Sequence, residues 1–161
     1  MAATYEPIAS TTLGSAASSV TLSGIAADWT DLVVVVTGAN SEGSALGIRF
    51  NGDTSSNYSW TYIHGNGTSA SSSRGSNDTR GRVGSFSTGG PHLAVVNVMN
   101  YANTSVYKTV LSNAMRDANG VYRFVSLWRN TAAITSVTVE IQYGSLQTGT
   151  TVSLYGIKAA P

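Results

Sequence analysis

Ser136-Val137-Thr138-Val139-Glu140-Ile141-Gln142-Tyr143 sets Val137, Val139, Ile141 and Tyr143 on one parity and Ser136, Thr138, Glu140 and Gln142 on the other. Period-two alternation of this kind belongs to a half-buried strand, because successive Cβ atoms leave opposite faces of the pleat. Thr151-Val152-Ser153-Leu154-Tyr155-Gly156-Ile157 alternates in the same way, with Gly156 as the mark of a bulge. Leu32-Val33-Val34-Val35-Val36, following Asp31, is an unbroken apolar run. That predicts a central strand covered on both faces.

Outward from these three, the same criteria place strands near Tyr5 to Thr12, Ser19 to Leu22, Leu46 to Phe50, Ser59 to Ile63, Gly81 to Phe86, His92 to Met99, Tyr107 to Asn113 and Tyr122 to Trp128. Between them, 70 of the 161 residues are Ser, Thr, Asn or Gly, which supply turns. Helix-like words are confined to Ala26-Ala27-Asp28-Trp29 and Asn113-Ala114-Met115-Arg116-Asp117, both too short to persist alone. The expected fold is all-β: one domain over residues 1–161, an antiparallel β-sandwich of jelly-roll type with about ten strands. Residues 65–90 read as a long Ser-, Gly- and Arg-containing loop interrupted by a single strand, and residues 1–12 as an extended docking arm.

Nine basic and eight acidic side chains leave a net charge of +1. A nucleic-acid partner would call for a dense basic face, so none is expected. No apolar run reaches the length that crosses a bilayer, and the first residues lack a leader's basic cluster and apolar core, so synthesis in a cytoplasm and no membrane partner are expected. With no cysteine, durability must come from packing and subunit contacts. A near-neutral surface rich in hydroxyl and amide groups repels its own copies weakly.

Chemistry has few residues to work with. His64 and His92 are the only histidines, and no HExxH or Gly-x-Ser-x-Gly pattern occurs, so neither a zinc site nor a serine-nucleophile elbow is indicated. Asn51-Gly52-Asp53 lacks the alternating ligands and distal Glu of a calcium loop and reads as a turn. No catalytic, cofactor or metal residue is assigned, and the expectation is a protein that is not an enzyme. Recognition is left to other groups. Arg74, Arg80 and Arg82, three of the seven arginines, cluster in the long loop, where a guanidinium can bind a neighbouring subunit bidentately. Tyr58, Trp60 and Tyr62 alternate, so their rings share one sheet face; exposed, they and Trp128 would stack on sugars, and internal, they would be core.

Five groups of words stand out along the chain: Tyr5-Glu6-Pro7-Ile8-Ala9-Ser10-Thr11-Thr12-Leu13, Asp31-Leu32-Val33-Val34, Ile48-Arg49-Phe50-Asn51-Gly52-Asp53-Thr54 with Asn57-Tyr58-Ser59, Met99-Asn100-Tyr101-Ala102-Asn103-Thr104 and Leu154-Tyr155-Gly156-Ile157-Lys158. Together they resemble small proteins encoded in the virion-morphogenesis regions of tailed bacteriophages, including cyanophages and marine phages. The resemblance implies a virion component of sandwich or jelly-roll fold, often trimeric. In this chain it implies a capsid cement or decoration protein that clamps the major capsid protein, with Tyr5, Glu6 and the three loop arginines as contacts. The alternative it implies is a tail-fibre module that reads host glycan through Tyr58, Trp60, Tyr62 and Trp128.

Overall fold

The computed structural model describes residues 5–116 and 120–158. Among them there are twelve strands and no helix: β1 (Tyr5–Thr12), β2 (Ser19–Ser23), β3 (Asp31–Gly38), β4 (Ser44–Phe50), β5 (Tyr58–Gly65), β6 (Ala70–Asp78), β7 (Gly81–Phe86), β8 (His92–Met99), β9 (Lys108–Met115), β10 (Val121–Trp128), β11 (Ser136–Ile141) and β12 (Thr151–Ile157). They form an eight-stranded sheet, β1-β12-β3-β8-β9-β10-β5-β6, packed on a four-stranded sheet, β2-β11-β4-β7.

The pairing explains the architecture. β1 pairs with β12, β2 with β11, β3 with β8 and β4 with β7, every pair antiparallel. Leaving aside two hairpins, the chain is therefore one long antiparallel ribbon whose first half runs back along its second. Alternate pairs fall into alternate sheets. Wound this way, eight strands make a jelly roll. The hairpins are β5–β6, inserted between β4 and β7, and β9–β10, inserted between β8 and β11. β10 pairs with β5, so the two insertions join into a four-stranded wing that extends the larger sheet beyond β8.

Alternation sets what is buried. Val137, Val139 and Ile141 of β11 meet Leu32, Val34 and Val36 of β3 within one core. On β3 the expectation of cover on both faces is met differently. Leu32, Val34 and Val36 are sealed by the small sheet, whereas Val33 is buried and Val35 half-buried on a face that carries no second sheet. Asn51 and Gly52 both take positive φ (54° and 67°), and Asp53 N donates to Phe50 O at 2.9 Å. That is the tight turn read from the sequence, made by residue types that accept left-handed backbone.

Two organisational expectations are corrected. Residues 5–12 are no free arm, since Tyr5 to Thr12 pair with Ile157 to Thr151 along the sheet edge; residues 1–4 lie outside the described residues. Residues 65–90 hold two strands, because Ala70 to Asp78 pair with β5 despite their polar composition. Twelve strands thus replace about ten.

Candidate functional site

The two sheets present different outer faces. On the small sheet the outward side chains are mostly small or polar, and several are partnered. Thr21 and Thr138 share a hydroxyl hydrogen bond of 2.9 Å, Arg49 Nη1 lies 2.5 Å from Glu140 Oε2, and Arg80 Nη1 lies 2.9 Å from Glu140 Oε1. The large sheet is the reverse. Across β5, β10, β9 and β8 its outward rows read Gly65–Val121–Met115–Leu93, Ile63–Arg123–Asn113–Val95, Thr61–Val125–Leu111–Asn97 and Ser59–Leu127–Thr109–Met99. Val121 is 64% exposed, Ile63 62%, and Val125 and Met115 48% each. Adjoining aliphatic side chains left in water over four strands form the kind of patch that marks an interaction surface.

The patch is dished. A concavity of about 910 Å³ is lined by Ile63, Leu93, Val95, Met115, Val121 and Arg123 among others, and a second of about 640 Å³ by Ser59, Thr61, Arg74, Ser76, Val125 and Leu127. Both open on the same side of the sheet, as the register dictates. Arg74 stands opposite Thr61, and Arg123 opposite Ile63. Sequence reasoning named Arg74 but missed Arg123 and the aliphatic rows. A signal existed in Leu93-Ala94-Val95-Val96, apolar on both parities although only one parity reaches the core.

On the inner side of the wing, Tyr58, Trp60 and Tyr62 do share a face, and burial grades along it. Tyr58 is sealed against Phe50 and Trp128, Trp60 is 8% exposed, and Tyr62 is half-buried. Beyond the cover of β7, Tyr62 meets Trp60 (5.9 Å), Phe124 (5.1 Å) and Tyr122 (5.8 Å), and His64 stacks on Tyr122 at 4.2 Å. Trp128, offered by the sequence as a stacking residue, is 1% exposed and donates from Nε1 to Asp53 Oδ2 at 2.7 Å. It is core, and with Tyr58 it is withdrawn from any sugar-stacking surface.

The remaining candidates divide. Arg80 is spent on Glu140, and Arg82 lies 4.2 Å over the Trp60 ring and donates to Gln142 at 3.3 Å, so neither is a free clamp. Arg74 is exposed. Tyr5 is exposed at the β1 edge, and Glu6 lies 4.0 Å from Lys158. His92 is buried and accepts from Ser87 N at 3.1 Å, closing the β7–β8 loop.

Two charged groups inside the fold have structural explanations. Lys108 is fully buried and donates to the carbonyls of Asn103, Val106 and Thr131, and burial lowers its pKa. Burial pushes the Asp53 carboxyl up, but hydrogen bonds from Asn57, Trp128 and Ser55 outweigh it and hold the group at about 2. Burial likewise raises the Tyr58 hydroxyl far above the usual phenol range. Among the described residues no group of three or more His, Asp or Glu side chains is placed to hold a metal ion.

No family model matches the chain, and no curated protein does. Among solved structures it is similar to domains LG4-5 of the mouse laminin alpha1 chain, at 12% identity with a TM-score of 0.33, over 94% of this chain and 46% of that one. It is also similar to a mutant of the alginate lyase Aly36B in complex with alginate tetrasaccharide, at 10% identity and a TM-score of 0.32 over 88% and 80% of the two chains. The chain thus spans less than half of the laminin chain it aligns with. At these scores the jelly-roll assignment rests on the chain's own strand pairing.

Proposed function

We propose that this chain is a non-enzymatic structural component of a tailed-bacteriophage virion. In this reading it is a capsid cement or decoration protein that assembles as a homotrimer and binds the major capsid protein. The observation that carries it is the uncovered aliphatic outer face of the eight-stranded sheet, set against a mostly small or polar face on the other sheet where Arg49 and Arg80 are paired with Glu140. Such a face gains free energy by leaving water, and about 800 Å² per partner suffices for a stable interface. A clamp of this kind needs buried area rather than reactive groups, and repetition over a shell multiplies it. The phage resemblance of the strand-and-turn words supplies the virion context.

The test is a cryo-electron reconstruction of purified virions with copy number from quantitative mass spectrometry. Hundreds of ordered copies on the icosahedral shell are expected; absence from the virion overturns the reading. A few copies at the tail would favour the second reading, a receptor-binding module for host glycan. That alternative is supported by the half-exposed rings of Tyr62 and Tyr122 at the end of the wing. It requires Tyr62→Ala to abolish binding on an array of host polysaccharides while leaving the melting temperature near that of the parent.

A further inference from the structure

The dished outer face carries a charge asymmetry that narrows what it can hold. Over β8, β9, β10, β5 and β6 the charged side chains directed outward are Arg123, in the wall of the larger concavity, and Arg74, in the wall of the smaller. Among the described residues neither has a carboxylate within ion-pair distance, in contrast to Arg49 and Arg80. The acidic side chain on the same face is Asp31, at the far end of β3, where its Oδ1 accepts from Asn100 N at 2.8 Å. Two copies meeting through this patch would bring guanidinium groups together with no anion between them. A second copy is therefore a poor occupant.

We infer that the trough receives an extended acidic–aliphatic segment of a different protein, with the pattern acid-x-aliphatic-x-acid. β6 and β10 flank β5, and Arg74 and Arg123 are offset by one side-chain repeat. Strand spacing and rise then separate their Cα atoms by about 12 Å. In an extended chain, residues i and i+4 lie about 13 Å apart on the same face, with i+2 between them pointing the same way. The two carboxylates meet the two arginines in bidentate contacts, and the aliphatic side chain settles on Ile63 and Val125. The inference rests on the outer face being the docking face, and it names the partner's chemistry.

The experiment is fluorescence anisotropy of the whole protein with labelled peptides containing Glu-Thr-Leu-Thr-Glu, Gln-Thr-Leu-Thr-Gln or Lys-Thr-Leu-Thr-Lys in a threonine flank. The glutamate peptide should bind about tenfold or more tighter than the glutamine one, the weight of a single good charge-assisted contact. The double variant Arg74→Ala/Arg123→Ala should lose that preference with its melting curve unchanged. Equal binding of the three peptides, or a preference that survives in the double variant, overturns the inference. Oleate binding tightly where no peptide discriminates overturns it in favour of an acyl anion. If Val121→Asp blocks incorporation into virions while the peptides are not distinguished, the segment chemistry falls and the docking face stands. If the wild type discriminates yet is absent from virions, the virion role falls and the segment chemistry stands.

Discussion

Asp53 closes the bottom of the sandwich, where the β4–β5 turn meets the large aromatic side chains of the core. Its Oδ2 accepts from Trp128 Nε1 at 2.7 Å and Asn57 Nδ2 at 2.9 Å, and its Oδ1 from Ser55 N at 2.8 Å. These bonds favour the ionised form and hold the carboxyl at about 2, below its ordinary 3.8. Since the folded value is depressed, the contribution is present above pH 3.8 and is lost as pH falls toward 2. Denaturant midpoints measured between about pH 5 and pH 2 should therefore drop for the wild type and flatten for Asp53→Asn. At neutral pH that variant should cost about 1–3 kcal/mol, because charge-assisted bonds become neutral ones. Lys108 makes a second residue-scale case. Its ammonium staples the segments around Asn103 and Thr131, so Lys108→Met removes from a buried position the donor shared by three partly buried carbonyl contacts. A loss of about 2–4 kcal/mol in urea unfolding is expected. Asp53 was legible as a turn residue in Asn51-Gly52-Asp53; its bond to Trp128 was not, because the two lie 75 positions apart.

Among the elements, β6 is the one the chain hides. Ala70-Ser71-Ser72-Ser73-Arg74-Gly75-Ser76-Asn77-Asp78 has no apolar alternation, since as an edge strand it buries almost nothing of its own. Its partner compensates. Trp60 lies over Gly75, directly opposite on β5, and donates from Nε1 to Asp78 Oδ2 at 2.9 Å. A Cβ on Gly75 would come within 2.5 Å of the indole. Gly75→Val should thus cost about 1–3 kcal/mol and shift tryptophan emission to the red as the ring loosens; an unchanged spectrum and stability would contradict this packing. The strands that alternate cleanly, β11 and β12, were legible because one face meets core and the other does not. Clusters of rings were readable as sharing a face, from Tyr58, Trp60 and Tyr62, but their graded burial depends on neighbours distant in sequence, Phe50 and Trp128 for Tyr58 and Tyr122 and Phe124 for Tyr62.

For the whole molecule, the decisive contrast is between two sheet faces, and no single strand reveals it. Leu93, Val121 and Ile63 come from distant parts of the chain and become neighbours only through the β8-β9-β10-β5 order. The double variant Val121→Asp/Val125→Asp changes side chains that are 64% and 48% exposed and so should leave stability within about 0.5 kcal/mol. It should nonetheless abolish capsid binding, measured by co-sedimentation with shells. Unaltered co-sedimentation would remove the aliphatic face from the capsid interface.

The nested ribbon also dictates an order of events during synthesis. Thr12 of the first strand faces Thr151 of the last, so the strand made earliest must wait, unpaired and able to stray, until nearly all the described chain has left the ribosome. The β9–β10 and β5–β6 hairpins need only local contacts and can close sooner. Fold closure is thus a high-contact-order event of the millisecond-to-second kind typical of all-β domains. A nascent chain stalled before β12 would expose an unsatisfied edge on β3, open to sticking to its neighbours on the same polysome.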